Sequence, residues 1–344
     1  GEQMNKLKKL GLSALAGSLA MTSANAVDYA VTGDAIINYT SVDSDDVAVA
    51  PSTTGKGLAA DTDVYFNASG ELDNGFTVAF FQAADTNGAW TNSSSQVTIG
   101  MGSMGTLQYN NIAGSKANGI DDVTPFAMDE AWGSTVGLAT NNPSFFGAST
   151  ASGSIDYRIP TQDLSGMTID ASITYDPSAD VGAGGARSAN TTTNSGVAYT
   201  VTGSMAGFSV GAGLERVEGS STTASESGED EESVTGYVKY ANGPITVGYQ
   251  EAYQDTIDGG QDLESQMMSV AYTAGDITVS YAEQSLTKHA KGVTAEIEVD
   301  LEAIQVAYVM GAMTVSASMS ETTNASGTSG KTYDENELQV SFAF

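Results

Sequence analysis

The segment Glu337–Phe344, ELQVSFAF, alternates polar and apolar side chains up to a final aromatic residue. Period-two alternation is the signature of a β-strand with one wet and one greasy face. A strand that stays ordered to its last residue has to be held by neighbours on both sides, because unpaired polar termini fray. The first alternating stretch of the chain is the natural partner. There Val27, Tyr29, Val31, Gly33, Ala35, Ile37 and Tyr39 share one face, and Asp28, Ala30, Thr32, Asp34, Ile36, Asn38 and Thr40 the other.

The same pattern recurs along the chain. Val64, Phe66, Ala68 and Leu72 alternate with Asp63, Tyr65, Asn67, Ser69 and Glu71, turn through Asp73-Asn74-Gly75, and continue as Phe76, Val78 and Phe80. Asn-Gly between alternating runs is a strong hairpin signal. Further pairs turn at Gly102 to Gly105, at Ala206-Gly207 and at Asn242-Gly243-Pro244, and the total comes to about sixteen strands. Short turns alternate with long polar connections, including 41–61, 176–195, 217–233 and 321–334.

Composition narrows the class. The 344-residue chain has no cysteine, which excludes a small disulfide scaffold, and its 39 glycines and six prolines accompany β-formers rather than long helical runs. Residues 4–26, MNKLKKLGLSALAGSLAMTSANA, place three lysines ahead of a short apolar run that closes on Ala24-Asn25-Ala26, the form of an export signal cleaved after Ala26. That run is shorter than the ~20 residues of a membrane-spanning helix. Residues 1–26 therefore read as a leading extension, Gly1–Gln3, plus signal, and 27–344 as one domain. Removing Glu2, Lys6, Lys8 and Lys9 leaves 41 acidic residues against 9 basic ones. Nucleic acid is a poor partner for such a surface.

A soluble β-sandwich also alternates, and an exported acidic adhesin or surface-layer protein is one reading of this composition. Such a protein has no need to set every short turn at one end and every long loop at the other. A transmembrane antiparallel barrel does, since its backbone must pair fully inside lipid and its outer face must be apolar over about 25 Å. Tyr39, Tyr175, Tyr199, Tyr240, Tyr249, Tyr272, Tyr281 and Tyr308 fall on the apolar parity, as an interfacial girdle requires. The last strand then closes against the first, with Phe342 and Phe344 at the periplasmic edge.

The opening strand GDAIINY, the hairpin SGELDNGFTV, the stretch VTIGMGSMGTLQYNN ahead of a long third loop, and the aromatic end together resemble the general porins of Gram-negative outer membranes, the alphaproteobacterial type in particular. The resemblance implies a sixteen-stranded homotrimer set in outer-membrane lipid, a terminal Phe344 read by the barrel-assembly machinery, and a third loop folded inward as a constriction. It implies passage of small hydrophilic solutes and no enzyme chemistry. Such porins commonly oppose an Arg-rich wall to an acidic loop, whereas this chain has only Arg158, Arg187 and Arg216.

The third loop, about 111–153, keeps Phe126, Met128, Trp132, Phe145 and Phe146, a composition that packs rather than stays disordered. Packed against the inner wall, it makes Asp121, Asp122, Asp129 and Glu130 either carboxylates of a cation-favouring pore rim or solvated loop charges. By parity, Asp156, Arg158 and Lys239 point into the lumen, and for both cations a carboxylate pairing and a solute-steering role stand open. Arg187 and Arg216 belong to the extracellular loops. The acidic runs Asp43–Asp46 and Glu229–Glu232 offer oxygen ligands for Ca²⁺ or Mg²⁺ but lack a binding-loop signature, so no metal or cofactor is expected. His289 is the only histidine, which argues against a triad or a transition-metal centre. The sequence thus points to a passive, cation-preferring diffusion channel, with a substrate-specific channel as the neighbouring alternative.

Overall fold

The computed structural model describes residues 28–44, 54–85, 90–112, 114–131, 146–147, 150, 153–177, 195–218, 230–255, 261–290 and 296–344. The expected signal over 1–26, together with Asp45, Asp46, Trp132, Phe145, Arg187 and Glu229, lies outside these residues.

One antiparallel sheet accounts for nearly all of the described structure, and it closes on itself. Strand β1 (Asp28–Asp43) pairs on one side with β2 (Gly55–Glu71) and on the other with β17 (Thr332–Ala343). Between them, in chain order, lie β3 (Thr77–Asp85), β4 (Thr91–Gly100), β5 (Thr106–Asn111), β6 (Ser154–Arg158), β7 (Gln162–Leu164), β8 (Met167–Asp176), β9 (Gly196–Met205) and β10 (Phe208–Val217). Then follow β11 (Glu231–Asn242), β12 (Ile245–Asp255), β13 (Gln261–Ala274), β14 (Ile277–Ala290), β15 (Glu298–Met310) and β16 (Met313–Thr323).

Both β6 and β7 pair with β8, so they are two halves of one strand. Arg158 opposes Ser172 whereas Gln162 opposes Ile169, so four steps on one strand face three on the other, which is a one-residue bulge. Pro160 sits in it, where no N–H is missed by the ladder. Counted this way the barrel has the sixteen strands expected from the alternation.

The seam confirms the reading of the opening segment. Ile37 opposes Val340 and Tyr39 opposes Leu338, while the Phe344 N–H donates to the Gly33 carbonyl at 2.8 Å and the Gly33 N–H donates back at 3.2 Å. Short turns follow the expected signals. In Asp73-Asn74-Gly75 the Gly75 N–H donates to the Leu72 carbonyl, and the Asn74 side chain accepts from the Phe76 N–H. Ala206 and Gly207 both adopt left-handed backbone, at φ 51° and 86°, which matches the twist of a two-residue hairpin.

Parity sorts the two faces. Ile37, Tyr39, Tyr175, Tyr199, Val201, Phe208, Val247, Tyr249, Tyr272, Ile304, Tyr308 and Leu338 all expose their side chains outward. No described helix is long and apolar enough to cross a membrane, and here strands do the crossing. Inside, the apolar clusters are small, and two of them form where the third loop meets the wall. One joins Ala117, Ile120 and Phe146 to Ala198, and another joins Ala131 to Met267, Leu301 and Ala303.

Candidate functional site in the barrel lumen

The third loop leaves β5 and runs across the inside of the barrel. Every wall group it touches lies on the inward parity. The Lys116 N–H donates to Asp156 Oδ2 at 2.7 Å, and Arg158 Nη2 donates both to the Gly114 carbonyl at 3.0 Å and to Asp156 Oδ2 at 2.9 Å. Asp156 is fully buried and also accepts from Thr174 Oγ1. Of the two readings left open for Arg158, the carboxylate pairing is the one the geometry adopts, and the pair fixes the root of the loop.

Farther along, Gln250 of β12 clamps the loop from both sides of its amide. Its Oε1 accepts from the Val123 N–H, and its Nε2 donates to the carbonyls of Ile120 and Asp121. Gln305 of β15 does the same beyond it, accepting from the N–H groups of Ala127 and Met128 and donating to the Asp129 carbonyl at 2.7 Å. These bonds satisfy loop backbone that would otherwise be buried without partners. On the return limb, Glu215 of β10 accepts from the Gly147 N–H and from Thr150 Oγ1.

Two wall glycines make this docking possible. A Cβ on Gly213 would stand 2.2 Å from the Phe146 ring, and one on Gly248 would stand 2.6 Å from Pro125 Cδ. Both are inward positions where loop atoms rest directly on sheet backbone, the usual reason for glycine inside a strand.

The four loop carboxylates named from the sequence come together. Asp121 lies within hydrogen-bonding reach of Asp122, Asp122 of Glu130, and Glu130 of Asp129. Two carboxyl groups share a hydrogen bond only when one holds a proton. Burial raises all four, Asp122 to about 6 and Asp129 to about 7, while hydrogen bonds from neighbouring carboxyl groups partly offset the rise at Asp121, Asp122 and Glu130 and add to it at Asp129.

A second acidic group lines the lumen, and sequence reasoning missed it. Asp34 of β1 is directly opposite Asp63 of β2, which is directly opposite Asp85 of β3, all on the inward face. Asp61 stands two residues along, and one carboxylate oxygen from each of Asp61, Asp63 and Asp85 lies within 4.8 Å of the others, close enough to share a hydrated cation. Tyr65 Oη donates to Asp34 Oδ2 at 2.6 Å. Counting β6 and β7 as one strand, β3 is third and β12 eleventh of sixteen, so Asp85 and the Asp121–Asp122 clamp are half a turn apart. Asp34 and Asp63 were legible as wet-face residues, but their alignment depends on a register across a long loop that alternation alone does not set.

The remaining expected residues are placed simply. Lys239 is on the inner face, half-buried, with Ser209 and Gly248 as its cross-strand neighbours. Arg216 is exposed at the outward rim and pairs with Glu232 and Asp230, in keeping with a surface role. His289 bridges Glu264 and Glu296 at 3.2 and 2.9 Å, so the lone histidine ties β13, β14 and the approach to β15 together at the rim. Phe342 opposes Ala35 and Met313, and Phe344 is exposed at the seam.

Residues 11–344 match the Gram-negative porin family. No curated protein matches the chain by sequence. Solved structures similar to it include an anion-selective porin from Comamonas acidovorans, at 13% identity over 93% of this chain and 100% of that one, with a TM-score of 0.64. Salmonella typhi OmpF in complex with daunomycin aligns at 13% identity over 93% of this chain and 98% of that one, with a TM-score of 0.62. OmpT of Vibrio cholerae in its trimer form aligns at 12% identity over 94% and 100%, with a TM-score of 0.58. At these identities the likeness speaks for the fold, and the family match for the kind of protein. With its closed sixteen-stranded barrel and a match over nearly its whole length, the chain belongs to the Gram-negative porin family, an outer-membrane channel rather than an adhesin or an enzyme.

Proposed function

We propose that this porin is a passive diffusion channel that prefers cations, with the third loop setting its size limit. The observation that carries the preference is the presence of two acidic groups in one lumen, Asp121, Asp122, Asp129 and Glu130 on the loop and Asp34, Asp61, Asp63 and Asp85 on β1–β3. A cation in such a lumen is attracted by both, and confinement keeps solvent and salt from screening the field as fully as at an open surface. Of the lumen cations, Arg158 is spent on Asp156, which leaves Lys116 and Lys239 against these eight carboxyl groups. Transport of this kind has no chemical step, so no cofactor is called for. Weak binding of Ca²⁺ or Mg²⁺ at acidic loop segments fits the same field.

Export by cleavage after Ala26, folding of 27–344 as one barrel domain, recognition of the terminal strand by the barrel-assembly machinery, and assembly as a homotrimer in outer-membrane lipid complete the reading. A solved relative in a trimer form supports the last point. The test is the zero-current potential of purified protein in a planar bilayer under a KCl gradient. Cation-selective sign is expected, and an anion-selective sign would overturn the preference while leaving the channel intact.

A further inference from the structure

Beneath the root of the third loop, on the short-turn side of the lumen, the wall opens into a recess of about 510 Å³. It is bounded by the bulge between β6 and β7, the inner faces of β8 and β9, and the loop itself. That volume falls in the range of small-molecule sites.

The chemistry of its lining is mixed in a specific way. Lys116 reaches it from the loop and forms no ion pair among the described residues, Arg158 borders it, and Asp170 of β8 stands on the wall. Asp170 already accepts a hydrogen bond from Thr161 Oγ1, and a carboxylate has room for more. Thr202 adds a hydroxyl, and Ile120 and Tyr237 add apolar surface. Tyr237 is held in place, because its ring lies where a Cβ on Gly211 would be, at 2.3 Å, and packs against the cluster of Ala117, Ile120 and Phe146.

Charge in the recess balances. The buried Asp156 behind the wall neutralises Arg158, and Asp170 on the wall offsets Lys116, so neither an anion nor a cation gains from the sum. A neutral solute that both donates and accepts does gain, provided it also has a C–H face to lay on Ile120 and Tyr237. From this geometry we infer that the recess is a subsite for a neutral mono- or disaccharide, with Lys116 donating to a sugar oxygen and Asp170 accepting from a sugar hydroxyl. The subsite would hold a sugar briefly after it passes the loop, and so raise its flux above that of inert solutes of equal size.

The inference rests on the lumen being a diffusion path, so the test separates the two. Ion current through the purified channel is recorded while glucose, maltose, gluconate or a polyethylene glycol matched in size to maltose is titrated in. Maltose or glucose should reduce the current saturably, with half-effect in the millimolar range, whereas the polyethylene glycol should act without saturation. Lys116→Gln and Asp170→Asn should each weaken the sugar effect about tenfold, the loss expected for one charge-assisted hydrogen bond, with the sugar-free conductance retained. Sugars that behave like the polyethylene glycol, or a saturable effect indifferent to both substitutions, would overturn the subsite while leaving the diffusion channel standing. Gluconate acting more strongly than glucose, with the difference lost in Lys116→Gln, would overturn its assignment to neutral sugars. A channel that carries no ion current at all would sink the diffusion reading and the subsite together.

Discussion

The lumen has two acidic walls built on different principles. On β1–β3 the carboxylates Asp34, Asp63 and Asp85 are rigid, aligned by the sheet register into a row of directly opposed like charges. Like charges directly opposite each other cost stability in a sheet, so their alignment needs a functional return. On the other wall the carboxylates belong to a loop, where burial raises Asp122 to about 6 and Asp129 to about 7, so protonation relieves their repulsion as pH falls. The first wall is fixed in position by the sheet, and the second depends on how the loop is held. The lesson is that the same side chain is placed by register in one wall and by loop docking in the other, so the two positions fail to different substitutions.

The largest effect comes from breaking the fixed wall at its support. Asp34 lies one residue beyond Gly33, which holds Phe344 by two backbone hydrogen bonds. Deleting Phe344 removes those bonds and an outward aromatic at the sheet closure, and an open barrel edge in lipid leaves backbone groups unsatisfied. The expected outcome is loss of folded protein in outer-membrane fractions, read as loss of the heat-modifiable band on gels, with export across the inner membrane unchanged.

Next in size is release of the loop wall. Phe146 is fully buried, and truncating a buried Phe costs about 3–5 kcal/mol. Phe146→Ala combined with Glu215→Ala removes both the apolar and the polar anchor of the return limb, while the barrel strands keep their own pairing. The double variant should insert normally and admit larger solutes, seen in liposome swelling as faster entry of sugars that the parent passes slowly. An unchanged size cutoff would mean that Gln250 and Gln305 alone set the loop position.

These two regions also differ in how readily the sequence discloses them. Each strand announces its outward face through residues such as Tyr39, Tyr199 and Leu338, because lipid imposes one solvent along the whole belt. The loop carboxylates could be named because the apolar residues around them required a packed loop. The clamps Gln250, Gln305 and Glu215 could not, since on the wet parity a residue that holds a loop looks like one that merely faces water. The row of Asp34, Asp63 and Asp85 stayed hidden for another reason: it is a property of register, and register between β1 and β2 is fixed by backbone pairing beyond a long connection. The bulge at Pro160 could be suspected from proline but not its side or size.

A direct comparison of the walls is the neutralisation of each. A unit charge about 10 Å from a passing ion in water is worth about 0.4 kcal/mol, a factor of about two in local concentration. Replacing Asp34, Asp63 and Asp85 with Asn should therefore lower the K⁺ over Cl⁻ permeability ratio several-fold in reversal-potential measurements. Asp121→Asn with Asp122→Asn should lower it less at pH 7, because two carboxyl groups are removed in place of three. Lys239→Ala should shift the ratio slightly the other way. Equal losses from the two acidic sets would erase the distinction drawn between them.

The smallest effect is the most discriminating, because it reads the protonation of the loop carboxyl groups themselves. Asp122 and Asp129, raised to about 6 and about 7, are ionised above those values and neutral below them. Cation preference of the parent channel should decline as pH falls from about 8 to about 5, by less than the triple Asn variant loses outright. The linkage has the opposite sense for the loop's docking. A carboxyl whose value is raised on docking is stabilising when protonated, so its contribution is full below the ordinary carboxylate value and is lost as pH rises through about 6 to 7. The loop is then held most firmly in acid, and the size cutoff should loosen slightly, not tighten, towards alkaline pH. In Asp122→Asn with Asp129→Asn both trends should flatten while the selectivity contributed by β1–β3 persists. A selectivity that still titrates over the same range in that variant would locate the responsive charge elsewhere in the lumen.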